Sequence, residues 1–129
     1  MTSPAACRAQ PSRDALKALV VEDETIMSCL IEDMLWELGC SIVWHASTVG
    51  EALGILGQHM PDAAILDVNL VGVDAYPIAA ALEANGIPFV IATGSGLNGM
   101  VARWAAKPVI RKPFDIGTLQ DALGSALRH

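Results

Sequence analysis

An apolar segment that ends in three acids lies near the start of the sequence: Lys17-Ala18-Leu19-Val20-Val21-Glu22-Asp23-Glu24. A short apolar run without alternation is typical of a strand that is buried on both faces, as in a parallel sheet covered by helices. Apolar side chains at helical spacing follow it at Ile26, Leu30, Met34, Leu35 and Leu38. We therefore predict a strand over 17–21 and an amphipathic helix over 24–38 that ends before Gly39.

The same alternation continues to the end of the chain. Further strands are predicted over 41–46, 63–67, 88–92 and 108–111, and further helices over 49–58, 74–85 and 115–128. The glycine-rich residues 94–104 are expected to form a fifth helical segment that is short and mobile, because glycine weakens helices. Strands and helices in alternation indicate an α/β fold, a doubly wound five-stranded parallel sheet with helices on both faces.

The composition is apolar and acidic. Of the 129 residues, 53% are hydrophobic and 17% are charged, which favours one compact domain with a sizeable core. The formal net charge of −6 argues against nucleic acid or an anionic membrane surface as a partner.

Residues 1–16 lack the apolar stretch of a secretory signal, so we predict a flexible leader over 1–16 and one domain over 17–129. Three cysteines without metal-ligand spacing are typical of reduced thiols, which predicts a cytoplasmic location.

Polar side chains stand at the carboxyl ends of the predicted strands. The first strand ends in Glu22 and Asp23, the third in Asp67, the fourth in Thr93 and the fifth in Lys112. Ligands of doubly wound sheets bind beyond these strand ends. Clustered carboxylates repel one another unless a cation neutralises them, and an all-oxygen site with few protein ligands suits Mg²⁺. An aspartate beside Mg²⁺, a lysine and a hydroxyl can attack a phosphorus centre, which predicts phosphoryl transfer to Asp67.

Four segments resemble those of the receiver domain of bacterial two-component response regulators. They are Leu19-Val20-Val21-Glu22-Asp23, Ile65-Leu66-Asp67-Val68-Asn69-Leu70, Ala92-Thr93-Gly94 and Arg111-Lys112-Pro113-Phe114. The resemblance covers about residues 17–128, and it is specific because all four segments occur in order, each at the end of a predicted strand. It implies a flavodoxin-like sheet with strand order 2-1-3-4-5.

The resemblance also implies a role for each residue of the predicted site. Asp67 would accept a phosphoryl group from a sensor histidine kinase or a histidine phosphotransfer protein. Asp23, Asp67 and the backbone carbonyl of Asn69 would bind Mg²⁺, and Glu22 would act on it through water. Phosphoryl oxygens would be contacted by the two remaining site residues, Thr93 and Lys112. Two positions at which the family tunes hydrolysis of the acyl phosphate are occupied here by Asn69 and Ser95.

One position departs from the family pattern, and one segment resembles the motif of a subgroup. Val109 stands three residues before Lys112, where the family usually has the Tyr or Phe of its switch, so we expect the readout of phosphorylation to differ. Ile91-Ala92-Thr93-Gly94 resembles Phe-Ala-Thr-Gly, the start of the motif of the FATGUY receivers. That subgroup also lacks the switch aromatic.

The predicted function is that of a stand-alone receiver, because residues 113–129 suffice for the last helix alone. Such a protein catalyses only its own phosphorylation and dephosphorylation, and it acts on an unknown protein target or as a phosphate sink. The apolar composition allows a homodimer through the face from the fourth strand to the last helix, as relatives often form. One alternative is a receiver-like interaction module that is never phosphorylated. Another is a small aspartyl-phosphate hydrolase, although the nucleophile of the haloacid dehalogenase superfamily lies on the first strand.

Overall fold

The computed structural model describes residues 16–67, 75–94 and 107–127. Within these ranges one parallel sheet has five strands: β1 (Leu16–Val21), β2 (Cys40–Ala46), β3 (Ala63–Asp67), β4 (Phe89–Thr93) and β5 (Val109–Arg111). The strand order is β2-β1-β3-β4-β5. This order confirms the predicted α/β, flavodoxin-like fold, in which β2 and β5 are the edge strands.

The described part of the chain contains four helices: α1 (Thr25–Glu37), α2 (Val49–Gln58), α3 (Tyr76–Ala84) and α4 (Ile116–Leu127). The helical segment predicted over 94–104 lies, apart from its first residue, outside the described residues, so the fifth helix stays a prediction. The same holds for the leader, since β1 begins at Leu16 and residues 1–15 are not described. No helix in the described ranges is both long enough and apolar enough to cross a membrane.

Most predicted ends of strands and helices differ from the observed ones by one or two residues, and proline explains three of these differences. β4 and β5 begin after Pro88 and Pro108 because proline has no N–H to donate to a strand ladder. The carbonyls of both prolines still accept backbone hydrogen bonds from the neighbouring strands. α3 begins at Tyr76 instead of residue 74, with Pro77 in its first turn, where the missing N–H costs no helical hydrogen bond.

Two glycines end helices in the conformation that only glycine adopts freely. Gly39 follows α1 with φ of 102°, and Gly86 follows α3 with φ of 68°. A Cβ is disfavoured at positive φ, so glycine allows the chain to reverse here at little cost. These turns return the chain to the amino ends of β2 and β4.

The apolar core lies on both faces of the sheet. Alternate residues of β1 point to opposite faces: Leu19 and Val21 pack with the cluster that includes α2 and α3, and Ala18 and Val20 pack with the cluster that includes α1 and α4. Burial of each large aliphatic side chain contributes about 1.5–3 kcal/mol. This double-sided burial accounts for the uninterrupted apolar run of β1, which gives way to acidic residues at its carboxyl end.

Candidate functional site

Polar side chains are buried at the carboxyl end of the sheet. Glu22, Asp67 and Thr93 are each 1% exposed, Asp23 is half-buried, and the side chain of Lys112 is 13% exposed. Glu22 and Asp23 follow β1, Asp67 and Thr93 end β3 and β4, and Lys112 follows β5. The parallel topology therefore brings together residues up to 90 positions apart in the sequence.

Lys112 connects two of the carboxylates. Its Nζ donates a hydrogen bond to Glu22 Oε1 at 3.1 Å and lies 3.2 Å from Asp67 Oδ2. The backbone amide of Lys112 donates to the carbonyl of Thr93 at 2.9 Å, which fixes the end of β5 against β4. The peptide bond between Lys112 and Pro113 is cis. The lysine is thus positioned by backbone as well as by side-chain contacts.

Three carboxylates form a group that fits a divalent cation. Glu22, Asp23 and Asp67 each offer a carboxylate oxygen, and these oxygens lie within 4.8 Å of one another. An all-oxygen donor set with few protein ligands is the kind of site in which Mg²⁺ keeps several waters. The fourth predicted ligand, the carbonyl of Asn69, lies outside the described residues, so its role stays a prediction.

The electrostatics of the site also favour a cation. Burial and the charge of Asp67 raise the pKa of Glu22 to about 7, against the opposing effects of Lys112 and of the Glu24 amide, which donates to Glu22 Oε2 at 3.2 Å. Burial alone lowers the pKa of Lys112, but the charges of Asp67 and Glu22 outweigh it, so the pKa is raised above its usual value. One ammonium therefore faces more than one carboxylate, and the raised pKa of Glu22 reflects the cost of a buried negative charge beside Asp67.

The structure brings Glu22, Asp67 and Lys112 into contact and places Asp23 in the same acidic group, while Thr93 lies buried at the adjacent end of β4. Ser95, like Asn69, lies outside the described residues. Val109 pairs with Ile91 of β4 and packs, partly buried, against the α2 and α3 side of the core. An aliphatic side chain thus occupies the position at which the family usually has an aromatic one.

One contact at the acidic pair was not predicted from the sequence, that of His45. Its Nε2 lies 3.0 Å from the backbone oxygen of Glu22. His45 pairs with Val20 across the β1·β2 ladder, two residues before Glu22 along the chain. The sequence signal for this contact is a histidine near the end of the predicted second strand. That signal predicts a contact with Glu22 only when the register of β2 against β1 is known.

The chain is similar over most of its length to proteins of one family. The model of the "Response regulator receiver domain" matches residues 18–124. The transcriptional regulatory protein PdtaR of Mycobacterium tuberculosis is 32% identical over 115 residues, which are 86% of this chain and 56% of PdtaR. The chain therefore spans about half the length of the first curated relatives that it matches.

Solved structures agree with this match. SdrG from Sphingomonas melonis Fr1 is 38% identical with a TM-score of 0.78, over 88% of this chain and 98% of SdrG. The receiver domain of the sensor histidine kinase PA1611 from Pseudomonas aeruginosa PAO1, solved with a magnesium ion coordinated in its active site cleft, is 26% identical. Its TM-score is 0.76, over 89% of this chain and 99% of that domain. With the family model, the strand order and the acidic group at the strand ends in agreement, the chain belongs to the response regulator receiver domain family.

Proposed function

We propose that this chain accepts a phosphoryl group on Asp67, in a Mg²⁺-dependent reaction, from a histidine kinase or a histidine phosphotransfer protein. The observation that carries this proposal is the position of Lys112 Nζ, 3.2 Å from Asp67 Oδ2, inside a group of three carboxylates. A purely structural ion pair needs one acid and one base, whereas this site gathers an excess of buried acid. Such an excess is costly unless a cation is bound.

Each residue of the site has a defined task in this reaction. A carboxylate oxygen of Asp67 attacks phosphorus, a new P–O bond forms, and the P–N bond to the donor imidazole breaks. Negative charge builds on the phosphoryl oxygens, and the Lys112 ammonium is placed to neutralise part of it. The hydroxyl of Thr93, at the end of the adjacent strand β4, is the proposed hydrogen-bond donor to the same oxygens.

The proposed ligands of Mg²⁺ are Asp23 and Asp67, with Glu22 acting through water and the Asn69 carbonyl completing the set. The ion would supply positive charge to the transferring phosphoryl group. Support comes from the hard oxygen donors of the acidic group and from the magnesium ion in the PA1611 receiver domain.

The proposed output is a change in the surface of the domain after phosphorylation. The added phosphoryl oxygens give Thr93 and Lys112 new hydrogen-bond acceptors, and the movement of these side chains shifts the connection between β4 and β5, of which residues 95–106 lie outside the described part of the chain. The altered surface binds an unidentified protein, or the domain removes phosphoryl groups from a shared kinase. In this proposal the chain catalyses its own phosphorylation and dephosphorylation.

Four expectations from the sequence stay predictions: the FATGUY subgroup, the homodimer, the cytoplasmic location and the division at residue 16.

The alternative hydrolase is less well supported, because Asp67 lies at the end of β3 and not of β1. Steady multiple turnover of a small phosphomonoester would favour it over the receiver function. The alternative of a module that is never phosphorylated is addressed by beryllofluoride, an analogue of the phosphoryl group.

Nuclear magnetic resonance of the ¹⁵N-labelled protein tests the proposed function. With Mg²⁺ and beryllofluoride together, we expect the amide signals of Asp67, Thr93 and Lys112 to shift. The Asp67→Asn variant and the wild type with a chelator should show no such shifts. A wild-type spectrum that does not respond would contradict the proposal and favour the unphosphorylated module.

A further inference from the structure

Four contacts hold Glu22, and they come from different parts of the fold. Its backbone amide donates to the carbonyl of Ala46 at 3.0 Å. Its carboxylate accepts hydrogen bonds from Lys112 Nζ at 3.1 Å and from the Glu24 amide at 3.2 Å. Its backbone oxygen lies 3.0 Å from Nε2 of His45. Only this last contact comes from an exposed side chain, on the edge strand β2.

The His45 ring acts where the backbone ladder between β1 and β2 stops. The register runs up to the pair of Val21 with Ala46, and the amide of Glu22 adds one more hydrogen bond to β2. Beyond this point the chain leaves β2 to begin α2, and the amide of Ser47 donates to Glu51 Oε1 at 2.8 Å. The imidazole therefore donates to the Glu22 carbonyl just beyond the last backbone hydrogen bond between β1 and β2.

A hydrogen bond at this carbonyl constrains the acidic pair directly. The carbonyl of Glu22 and the amide of Asp23 belong to one planar peptide unit, so fixing one end of the unit fixes the other. The orientation of that plane sets the direction in which the chain continues to Asp23. A carbonyl can only accept, so Nε2 of His45 carries the hydrogen in this contact.

We propose that His45 is a positioning residue for the metal site: the hydrogen bond from its Nε2 to the Glu22 carbonyl orients the Glu22–Asp23 peptide for binding of Mg²⁺. This inference rests on the proposed function, because it assigns a role in the Mg²⁺ site of that function. His45 acts through the backbone of Glu22 and is not a ligand itself. In the described part of the chain, the group that can hold a metal consists of Glu22, Asp23 and Asp67.

Three variants separate this role from a general effect on folding. His45→Met keeps a side chain of similar length without a donor, and His45→Gln places an amide nitrogen near the position of Nε2. His59→Met is the matched control, because the His59 ring stacks on Trp44 with centroids 4.9 Å apart and has no part in the proposed site. Mg²⁺ binding is measured by isothermal titration calorimetry, and the melting temperature of each variant is recorded.

We expect His45→Met to raise the Mg²⁺ dissociation constant about threefold to tenfold, the range that one net hydrogen bond supplies. His45→Gln should stay within about twofold of the wild type, and His59→Met should not differ from it. A purely structural role would lower the melting temperature and leave the dissociation constant unchanged. Unchanged affinity in His45→Met, or a failure of His45→Gln to restore affinity, would overturn the inference.

A second measurement does not depend on Mg²⁺. The ¹⁵N shifts of the His45 ring in the metal-free protein at about pH 8, where an ordinary histidine is neutral, report which nitrogen carries the hydrogen. We expect the Nε2–H tautomer, and the Nδ1–H tautomer would overturn the inference. A wild type that shows this tautomer and binds no Mg²⁺ would overturn the proposed function and the inference with it. If the wild type binds Mg²⁺ and His45→Met has the same dissociation constant, the inference about His45 is overturned and the proposed function stands.

Discussion

Lys112 Nζ lies 3.1 Å from Glu22 Oε1 and thereby joins the end of β5 to the end of β1, two strands that are not neighbours in the sheet. Asp67 lies between them at the end of β3, 3.2 Å from the same ammonium. The lysine therefore partners two buried acids at once, and in the metal-free protein it balances part of the negative charge of the acidic group.

The first prediction concerns the loss of this ammonium. Lys112→Met leaves buried carboxylates without their cationic partner, so we expect the free energy of unfolding at about pH 8 to fall by about 3–5 kcal/mol in the absence of Mg²⁺. The control is Lys107→Met, which removes a more exposed ion pair with Glu83 and the contact of its Nζ with the Phe89 ring, 5.1 Å from the ring centroid, and should cost no more than about 2 kcal/mol. Urea unfolding of both variants measures the two costs, and equal losses would contradict the account.

The second prediction concerns pH. Glu22 has a pKa of about 7 in the folded protein against 4.5 as its ordinary value, so the folded state binds the proton more tightly than the unfolded state. The free energy of unfolding of the metal-free protein should therefore fall as the pH rises from about 4.5 to 7, by at most about 3 kcal/mol from this residue.

The variant Glu22→Gln isolates this contribution, because glutamine does not titrate. Unfolding is followed by urea titration at several pH values for both proteins. The difference between the two curves should fall over that range and level off above it. A constant difference across the range would show that Glu22 does not titrate as described.

The third prediction concerns Mg²⁺. At a concentration of 100 times its dissociation constant, Mg²⁺ should stabilise the wild type by about 2.7 kcal/mol if it binds only the folded state. Asp23→Asn should lose most of this increment. Asp33→Asn, a change at an exposed acid of α1, should keep it. Thermal unfolding with and without Mg²⁺ measures the increment, and its survival in Asp23→Asn would exclude Asp23 as a ligand.

The fourth prediction tests the start of α2, the helix that follows the edge strand β2. Thr48 Oγ1 accepts a hydrogen bond from the Glu51 amide at 3.1 Å, so Thr48→Ala should cost about 1 kcal/mol of unfolding free energy. Thr118→Ala is the control, because the exposed Thr118 lies in the first turn of α4, where Asp115 is the acceptor. Alanine favours helices, so that control should be neutral or slightly stabilising. Equal losses of unfolding free energy in the two variants would contradict the role of Thr48 as the N-cap of α2.

The sequence predicts the sheet well because its signals are local. The run of apolar residues before Glu22 indicates a strand buried on both faces, and the four polar strand ends at Asp23, Asp67, Thr93 and Lys112 indicate one shared edge. The contact of His45 with the Glu22 carbonyl was not predictable, because it depends on the register of β1 against β2 and on where α2 begins. The raised pKa of Glu22 likewise depends on burial that only the folded chain shows.

The most direct test of the central claim is intact-mass spectrometry after incubation with acetyl phosphate, with Mg²⁺ and with a chelator. We expect one added phosphoryl group on the wild type with Mg²⁺, none with the chelator, and none on Asp67→Asn under either condition. A phosphoryl group on the Asp67→Asn variant, or one that forms equally well with the chelator, would contradict the assignment of Asp67 as the Mg²⁺-dependent acceptor.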